Sequence, residues 1–447
     1  MKNSEVPCLS WRQGLLAISP VVVFLSLYVV VSLVAGDFYK MPIAVSLVAA
    51  SAWAVAIFRG RPLMERLEAF SRAAGHSNII YMIWIFILAG AFASLAREIG
   101  AVEATVDFAL DIFPARWIVP GLFVAACFIS LAVGTSVGTV VALAPLAVEF
   151  SQVSGGSVAF YVAVVLGGAF FGDNLSFISD TTIAATRSQG CDMADKFKAN
   201  LWITLPAAVV TLTLYAVMSA GIGDISRMGE PHSPWLILPY LIVIATALMR
   251  LNVTIVLMLG IISASVIAVC FGYGGFDILG YMGCGIDSMG NLIIITLLSA
   301  GMLGIIKAAG GIDWLLQCLT ARVSGCRGGQ VCIALLVSVV NLCTANNTVA
   351  IITVGSLSRE ISKRYGIAPR KSASLLDTCS CIVQCLIPYG AQTLLATSLA
   401  GISPAAPFRF LYYPWALALM VILSIVFLFP RSHFTLQSRV YGAGDSK

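Results

Sequence analysis

Eight stretches of this sequence, residues 15–34, 43–58, 79–97, 199–219, 235–249, 252–271, 289–306 and 410–429, run apolar with almost no charge. Each approaches the roughly 20 residues that a helix needs to cross a bilayer. That repetition constrains the fold more than any other feature. Only 11% of the 447 residues are charged, where a soluble domain carries about 25%. The polar cover that a soluble surface requires is missing, so an ordinary cytosolic enzyme is excluded. The expected fold is an all-α polytopic membrane protein. Its first apolar run is too long for a signal-peptide core and lacks a small-x-small cleavage site, so it reads as an uncleaved span. The net charge of +5 comes with no basic patch interleaved with aromatics, so no nucleic-acid partner is expected. Most of the 12 cysteines, Cys127, Cys270, Cys332 and Cys343 among them, fall inside apolar runs and do not read as a secreted disulfide framework.

Four further apolar stretches are interrupted. Residues 117–150, 158–184 and 329–356 are broken by Gly, Ser, Thr and Asn clusters, and 372–395 by Pro388 and Gly390. Unpaired backbone cannot face lipid, so broken helices are expected to line a protein-enclosed cavity. Residues 308–325 read as an interfacial amphipathic helix.

The chain also repeats itself. Leu88–Glu103 lies over Leu298–Asp313 at an offset of 210, pairing Arg97 with Lys307, Gly100 with Gly310 and Glu103 with Asp313. The same offset sets Ser136 on Asn346. Asp173, Ser176 and Asp180 then match Asp377, Ser380 and Gln384 at an offset of 204, and Thr182–Thr186 matches Thr393–Thr397 at 211.

Charge placement suggests that the halves are inverted. Basic loops are read at 59–72, 187–198 (Arg187, Lys196, Lys198) and 359–371, while 149–161, the counterpart of the last, has no basic residue. Positive loops stay cytoplasmic, so parallel halves would carry them at matching places. One threading satisfies every loop: both termini cytoplasmic, 117–150 re-entrant from outside and 329–356 re-entrant from inside. The expected organisation is N-terminal spans over 1–78, a first inverted repeat over 79–219, connecting spans over 220–288, a second repeat over 289–430 and a tail over 431–447. Inverted repeats with broken helices mark secondary transporters.

The chemistry is expected in the breaks. On one helix, Asp173, Ser176 and Asp180 would share a face by the i, i+3, i+7 rule. That face offers only oxygen ligands, suited to a hard cation such as Na⁺ or to a proton. Asp377, Ser380 and Gln384 repeat it with an amide for one carboxylate, and Thr135, Ser136, Asn346 and Asn347 at the hairpin tips add hydroxyl and amide oxygens. Na⁺ is therefore expected at Asp173, Ser176, Asp180 and Asp377. The bland alternative is a set of helix caps and solvated loops. Cys379, Cys381 and Cys385 read as packing residues, because the three histidines (His76, His232, His433) lie in distant loops. No cofactor is called for beyond the transported ions.

With these residues in place, the chain resembles the NhaC family of sodium/proton antiporters. The family pattern Gly-Asp-Lys-Leu-Ser-Pro-Leu-Ser-Asp-Thr-Thr is similar to Gly172–Thr182, and Gly134–Thr139 is similar to Gly-Thr-Ser-Trp-Gly-Thr. Asn174 stands at the motif Lys and Phe177 at the motif Pro, and the second-half pattern is matched only loosely from Asp377 to Gly390. The resemblance implies functional roles for Asp173, Asn174, Ser176, Ser179, Asp180, Thr181 and Thr182, and an inverted-repeat secondary transporter in the cell membrane. It implies Na⁺/H⁺ antiport by alternating access, since one membrane carboxylate holds a proton or a cation but not both well. Members of the family also exchange organic substrates, so a Na⁺-coupled carrier of a small organic acid or amino acid is the alternative. A remoter one is an intramembrane aspartyl hydrolase built on Asp173 and Asp377; a passive channel is a third. A homodimer is compatible with the sequence but not specified by it.

Overall fold

The computed structural model describes residues 10–35, 42–58, 61–112, 114–176, 179–219, 232–249, 251–320 and 324–429. Arg59, Phe177, His433 and the 220–231 and 431–447 segments lie outside the described residues. Every regular element among the described residues is helical, and nine stretches are long and apolar enough to cross a membrane. The chain is a multi-span membrane protein.

The first half runs α1 (Trp11–Ala35), α2 (Ile43–Ile57), α3 (Leu63–Ala74), α4 (Ser77–Glu98), α5 (Ala101–Ile112), α6 (Ile118–Val133), α7 (Ser136–Ser154), α8 (Val158–Leu175), α9 (Asp180–Gln189) and α10 (Met193–Ser219). The second runs α11 (Leu238–Leu248), α12 (Val253–Cys270), α13 (Gly275–Ser288), α14 (Gly290–Ala308), α15 (Gly311–Thr320), α16 (Gly325–Thr344), α17 (Asn347–Arg364), α18 (Pro369–Leu386), α19 (Ala391–Leu399) and α20 (Tyr412–Val426). All eight uninterrupted apolar runs are helices, and each of the four broken stretches is broken. Within 308–325 the helix is α15, Gly311–Thr320, and residues 321–323 lie outside the described set.

The pattern of burial explains which helices sit where. From Ala159 to Phe170, α8 is buried on all sides. By contrast α12 buries one narrow stripe, Val256, Gly260, Ala264 and Ala268 at four-residue spacing. Its other face, including Ile255, Ile262, Val266 and Val269, is apolar and exposed. An exposed apolar face of that extent belongs against lipid. Small residues let the helices approach closely. A Cβ on Gly168 would lie 2.5 Å from Ala126, and one on Gly172 would lie 2.2 Å from Ser130, so α8 and α6 touch nearly backbone to backbone. A Cβ on Gly285 of α13 would likewise lie 2.1 Å from the Gly90 carbonyl of α4.

The structure sharpens the repeat. Gly100 and Gly310, both left-handed (φ 79° and 76°), close α4 and α14 in the same way at offset 210. Beyond them the breaks register at a constant offset of 211. Gly134 matches Ala345, both left-handed, and Thr135 matches Asn346, both extended N-caps. Leu175 matches Leu386 as the last residue of a helix, and Ser179 matches Gly390 as the N-cap of the next. Tertiary bonds obey the same offset: Ser130 donates to the Ala169 carbonyl, and Asn341 to the Ser380 carbonyl.

Several expectations are corrected as a result. The partner of Ser136 is Asn347, not Asn346. The partner of Asp173 is Gln384, and Asp377 falls on Leu166, because helix breaks and not polar letters set the register. Residues 61–74 are largely helix: α3 lays Phe70 and Ala73 against Gly301 and Gly304 of α14. Its counterpart α13, absent from the expected spans, packs on α4 in return. Helices α12 and α13 thus pack on α4 as α2 and α3 pack on α14.

Candidate functional site

The site forms where the two helix breaks of each half converge. At Gly134 the chain turns left-handed, at Thr135 it extends, and α7 begins at Ser136. Glycine accommodates positive φ without strain, whereas its counterpart Ala345 adopts φ 47° at a cost, placing strain at the second tip. Ser136 donates twice to Asp173, its backbone N–H to Oδ1 at 2.9 Å and its hydroxyl to Oδ2 at 2.5 Å. Asp173 is 4% exposed. The first turn of α7 stabilises this buried carboxylate through its unpaired N–H groups and helix dipole. Among the described residues no Lys, Arg or His pairs with it.

The network continues into the other half. Gln392 donates to the Ser136 hydroxyl at 3.0 Å, and Gln384 donates both to Gln392 Oε1 at 3.0 Å and to the Ala345 carbonyl at 2.9 Å. Asp173 is therefore joined through Ser136, Gln392 and Gln384 to the strained second tip. These groups face a cavity of about 450 Å³ that also takes in Asp180, Thr181, Asn346 and Asn347. Asp180 is exposed to it at the first position of α9.

Behind the cavity lies a second, fully buried cluster. Lys196 Nζ is 2.7 Å from Asp377 Oδ2, and both side chains are almost wholly buried. The same ammonium donates to Thr182 Oγ1 at 2.6 Å and to the Asn174 carbonyl at 2.8 Å. Its three protons thus find three acceptors. Asn200 bridges the Asn174 carbonyl and Asp377 Oδ2, each at 2.8 Å. The ion pair ties α10 of the first half to α18 of the second.

The expected residues therefore separate into two groups. Asp173, Ser136, Thr135, Asp180, Thr181, Asn346, Asn347 and Gln384 line the cavity. Asn174, Thr182 and Asp377 belong to the buried cluster, while Ser179 caps α9 and donates to the Asp173 carbonyl at 2.9 Å. Ser380 donates to the Asp377 carbonyl within its own helix. The shared helical face of Asp173, Ser176 and Asp180 is not formed: α8 stops at Leu175, Ser176 is its extended C-cap, and Asp180 opens another helix. Only the second-half set keeps its face, since Asp377, Ser380 and Gln384 all lie on α18. Asp377 is paired with Lys196 in the buried cluster, whereas Asp173 lies at the cavity wall.

Lys196, Asn200 and Gln392 were not foreseen. The sequence places Lys196 in a basic loop, yet it lies in the first turn of α10 and is buried. Its four-residue spacing from Asn200 and Thr204, all buried, is the signal a helical reading would have used. Cys379, Cys381 and Cys385 are free, buried thiols along α18.

The model of the Na⁺/H⁺ antiporter family matches residues 12–220 and 168–430. The Na⁺/H⁺ antiporter NhaC of Alkalihalophilus pseudofirmus is 24% identical over 374 residues, 76% of this chain and 80% of its own. A malate-2H⁺/Na⁺-lactate antiporter of Bacillus subtilis is 20% identical over 91% of this chain and 93% of its own. Among solved structures, the YdaH transporter of Alcanivorax borkumensis aligns with a TM-score of 0.40 at 14% identity, covering 82% of this chain and 88% of that one.

Proposed function

This chain belongs to the Na⁺/H⁺ antiporter family, and we propose that it exchanges Na⁺ for H⁺ at Asp173. The observation that carries the proposal is a carboxylate buried at the wall of a polar cavity, with hydroxyl and backbone N–H partners and, among the described residues, no cationic side chain paired with it. Such a group is costly inside a membrane and is retained where it does chemistry. Deprotonated, Asp173 attracts Na⁺ with the nearby hydroxyl and carbonyl oxygens completing an all-oxygen shell. Protonated, it offers that ion no charge. Because the two states exclude one another, a conformational cycle that exposes Asp173 to each side in turn couples the two gradients.

Asp180 stands at the cavity as a second, more exposed carboxylate, and its role is to raise the local Na⁺ concentration and assist binding. The Lys196–Asp377 pair is structural in this reading, a fixed tie between the halves. The transport assay is direct. In proteoliposomes carrying an interior pH dye, a Na⁺ pulse outside should alkalinise the lumen, since H⁺ leaves as Na⁺ enters, under a small imposed pH gradient of either sign, saturably and without added organic solute. A Na⁺ pulse that leaves the dye unchanged under both pH gradients overturns the proposal.

The reciprocal packing of α3 on α14 and α13 on α4 supports a pseudo-twofold relation between the halves. In that arrangement, residues 61–76 and 359–371 both face the cytoplasm, as do both termini. Single cysteines placed in these two segments should label from the same side of the membrane. Labelling from opposite sides contradicts the inverted arrangement.

A further inference from the structure

The cavity is far larger than a dehydrated Na⁺ needs. At about 450 Å³ it falls within the range of small-molecule sites, about 300–1,000 Å³. Its lining decides what such a molecule must look like. Two carboxylates, Asp173 and Asp180, line it, and no Lys, Arg or His does so among the described residues. An organic acid would need a counter-charge, which the lining lacks, and three of the half-helix N-terminal donors are already held. The Ser136 N–H is held by Asp173, the Val349 N–H by the Asn346 side chain, and the Thr182 N–H by Ser179. The amide nitrogen of Gln384 is spent twice, on Ala345 and on Gln392. An acceptor is also left over: Gln384 Oε1 is buried, the residue is 1% exposed, and among the described residues no group donates to it. A buried acceptor without a donor is costly unless a ligand satisfies it.

We infer that the cavity takes a small organic cation with a primary ammonium group, bound at the same carboxylates as Na⁺ and with Gln384 Oε1 as an acceptor for its N–H. The inference rests on the proposed exchange at Asp173 for its transport role, though not for binding. The ammonium is a compact charge with several donors, which suits two carboxylates and a free amide oxygen. Its alkyl body finds Met82, Ile85 and Phe86 on the wall formed by α4. An organic anion is disfavoured, because it would face carboxylates across a cavity without a counter-charge.

The test uses the full-length protein in proteoliposomes with n-butylammonium, 1,4-diaminobutane and L-malate as probes. Two readouts are taken: competition against ²²Na⁺ uptake, and counterflow of radiolabelled 1,4-diaminobutane without any Na⁺ gradient. The amines should compete with Na⁺ saturably, malate should not, and labelled diamine should show counterflow. In Gln384→Leu and Asp180→Asn, the concentration of amine giving half-inhibition should rise at least tenfold, more than any change in the Na⁺ half-saturation. Intact Na⁺ flux that no amine inhibits, without diamine counterflow, overturns the inference while leaving Na⁺/H⁺ exchange standing. Competition by malate in place of the amines overturns it as well. Diamine counterflow in the absence of any Na⁺-coupled proton flux keeps the cation site and overturns the exchange reading instead.

Discussion

Asp173→Asn is expected to reduce Na⁺-coupled proton flux to below about 1% of the wild-type rate while leaving the protein folded. The amide keeps the size of the side chain, and its oxygen still accepts one bond from Ser136. It loses the charge that attracts Na⁺ and the proton that is exchanged, so both half-reactions fail together. Asp180→Asn should behave differently. Asp180 is exposed at the cavity and lacks the double hold of Ser136, so its loss should raise the Na⁺ half-saturation and spare much of the maximal rate. A ligand that binds in the ground state affects apparent affinity more than turnover. Acidifying both faces of the membrane should mimic the Asp173→Asn defect, because protons compete for the same oxygens. Normal flux in a well-folded Asp173→Asn protein would reduce Asp173 to a cap for α7.

The second large effect concerns stability. Lys196 and Asp377 are buried together at 2.7 Å between α10 and α18. Removing one partner leaves an uncompensated buried charge, which costs about 3–5 kcal/mol. Lys196→Met and Asp377→Leu should each lower the thermal midpoint of the detergent-purified protein substantially. The double variant should recover most of that loss, since a matched apolar pair avoids both desolvation penalties. The recovery is incomplete, because the Asn174 carbonyl and Thr182 hydroxyl lose the donor that Lys196 supplies. The measurement is a double-mutant cycle on the melting transition. Additive effects, with the double variant worse than either single one, would show that the two charges act independently.

The membrane class and the helix breaks were legible in the sequence because lipid imposes them through composition. Apolar length identifies a span, and a polar cluster inside one identifies a break. The motif from Gly172 to Thr182 stood out for the same reason. The pairing across the cavity was less legible. Aligning Asp173 with Asp377 followed chemical likeness, whereas the fold aligns Asp173 with Gln384, seven residues further on, because the left-handed turns at Gly134 and Ala345 set the register. Carrying the offset of Thr182 and Thr393 back along the chain would have produced that match, and would have set Thr181 on Gln392. Lys196 was missed because a lysine near a span end ordinarily snorkels to the interface. Its burial depends on Asp377, a partner 181 residues away that no local pattern reveals. Arg97 and Lys307, in the last turns of α4 and α14, do stay exposed at equivalent places.

Competition between Na⁺ and a proton for Asp173 is the core of this account, and it is measured most directly without any transport. Purified protein in weakly buffered detergent solution, held near the midpoint of its pH-activity profile, is titrated with NaCl against a choline chloride control while a pH indicator reports released protons. Saturable proton release by the wild type, absent from Asp173→Asn, is the predicted result. Undiminished release from Asp173→Asn, or Na⁺ binding by the wild type without release at any pH, would contradict it.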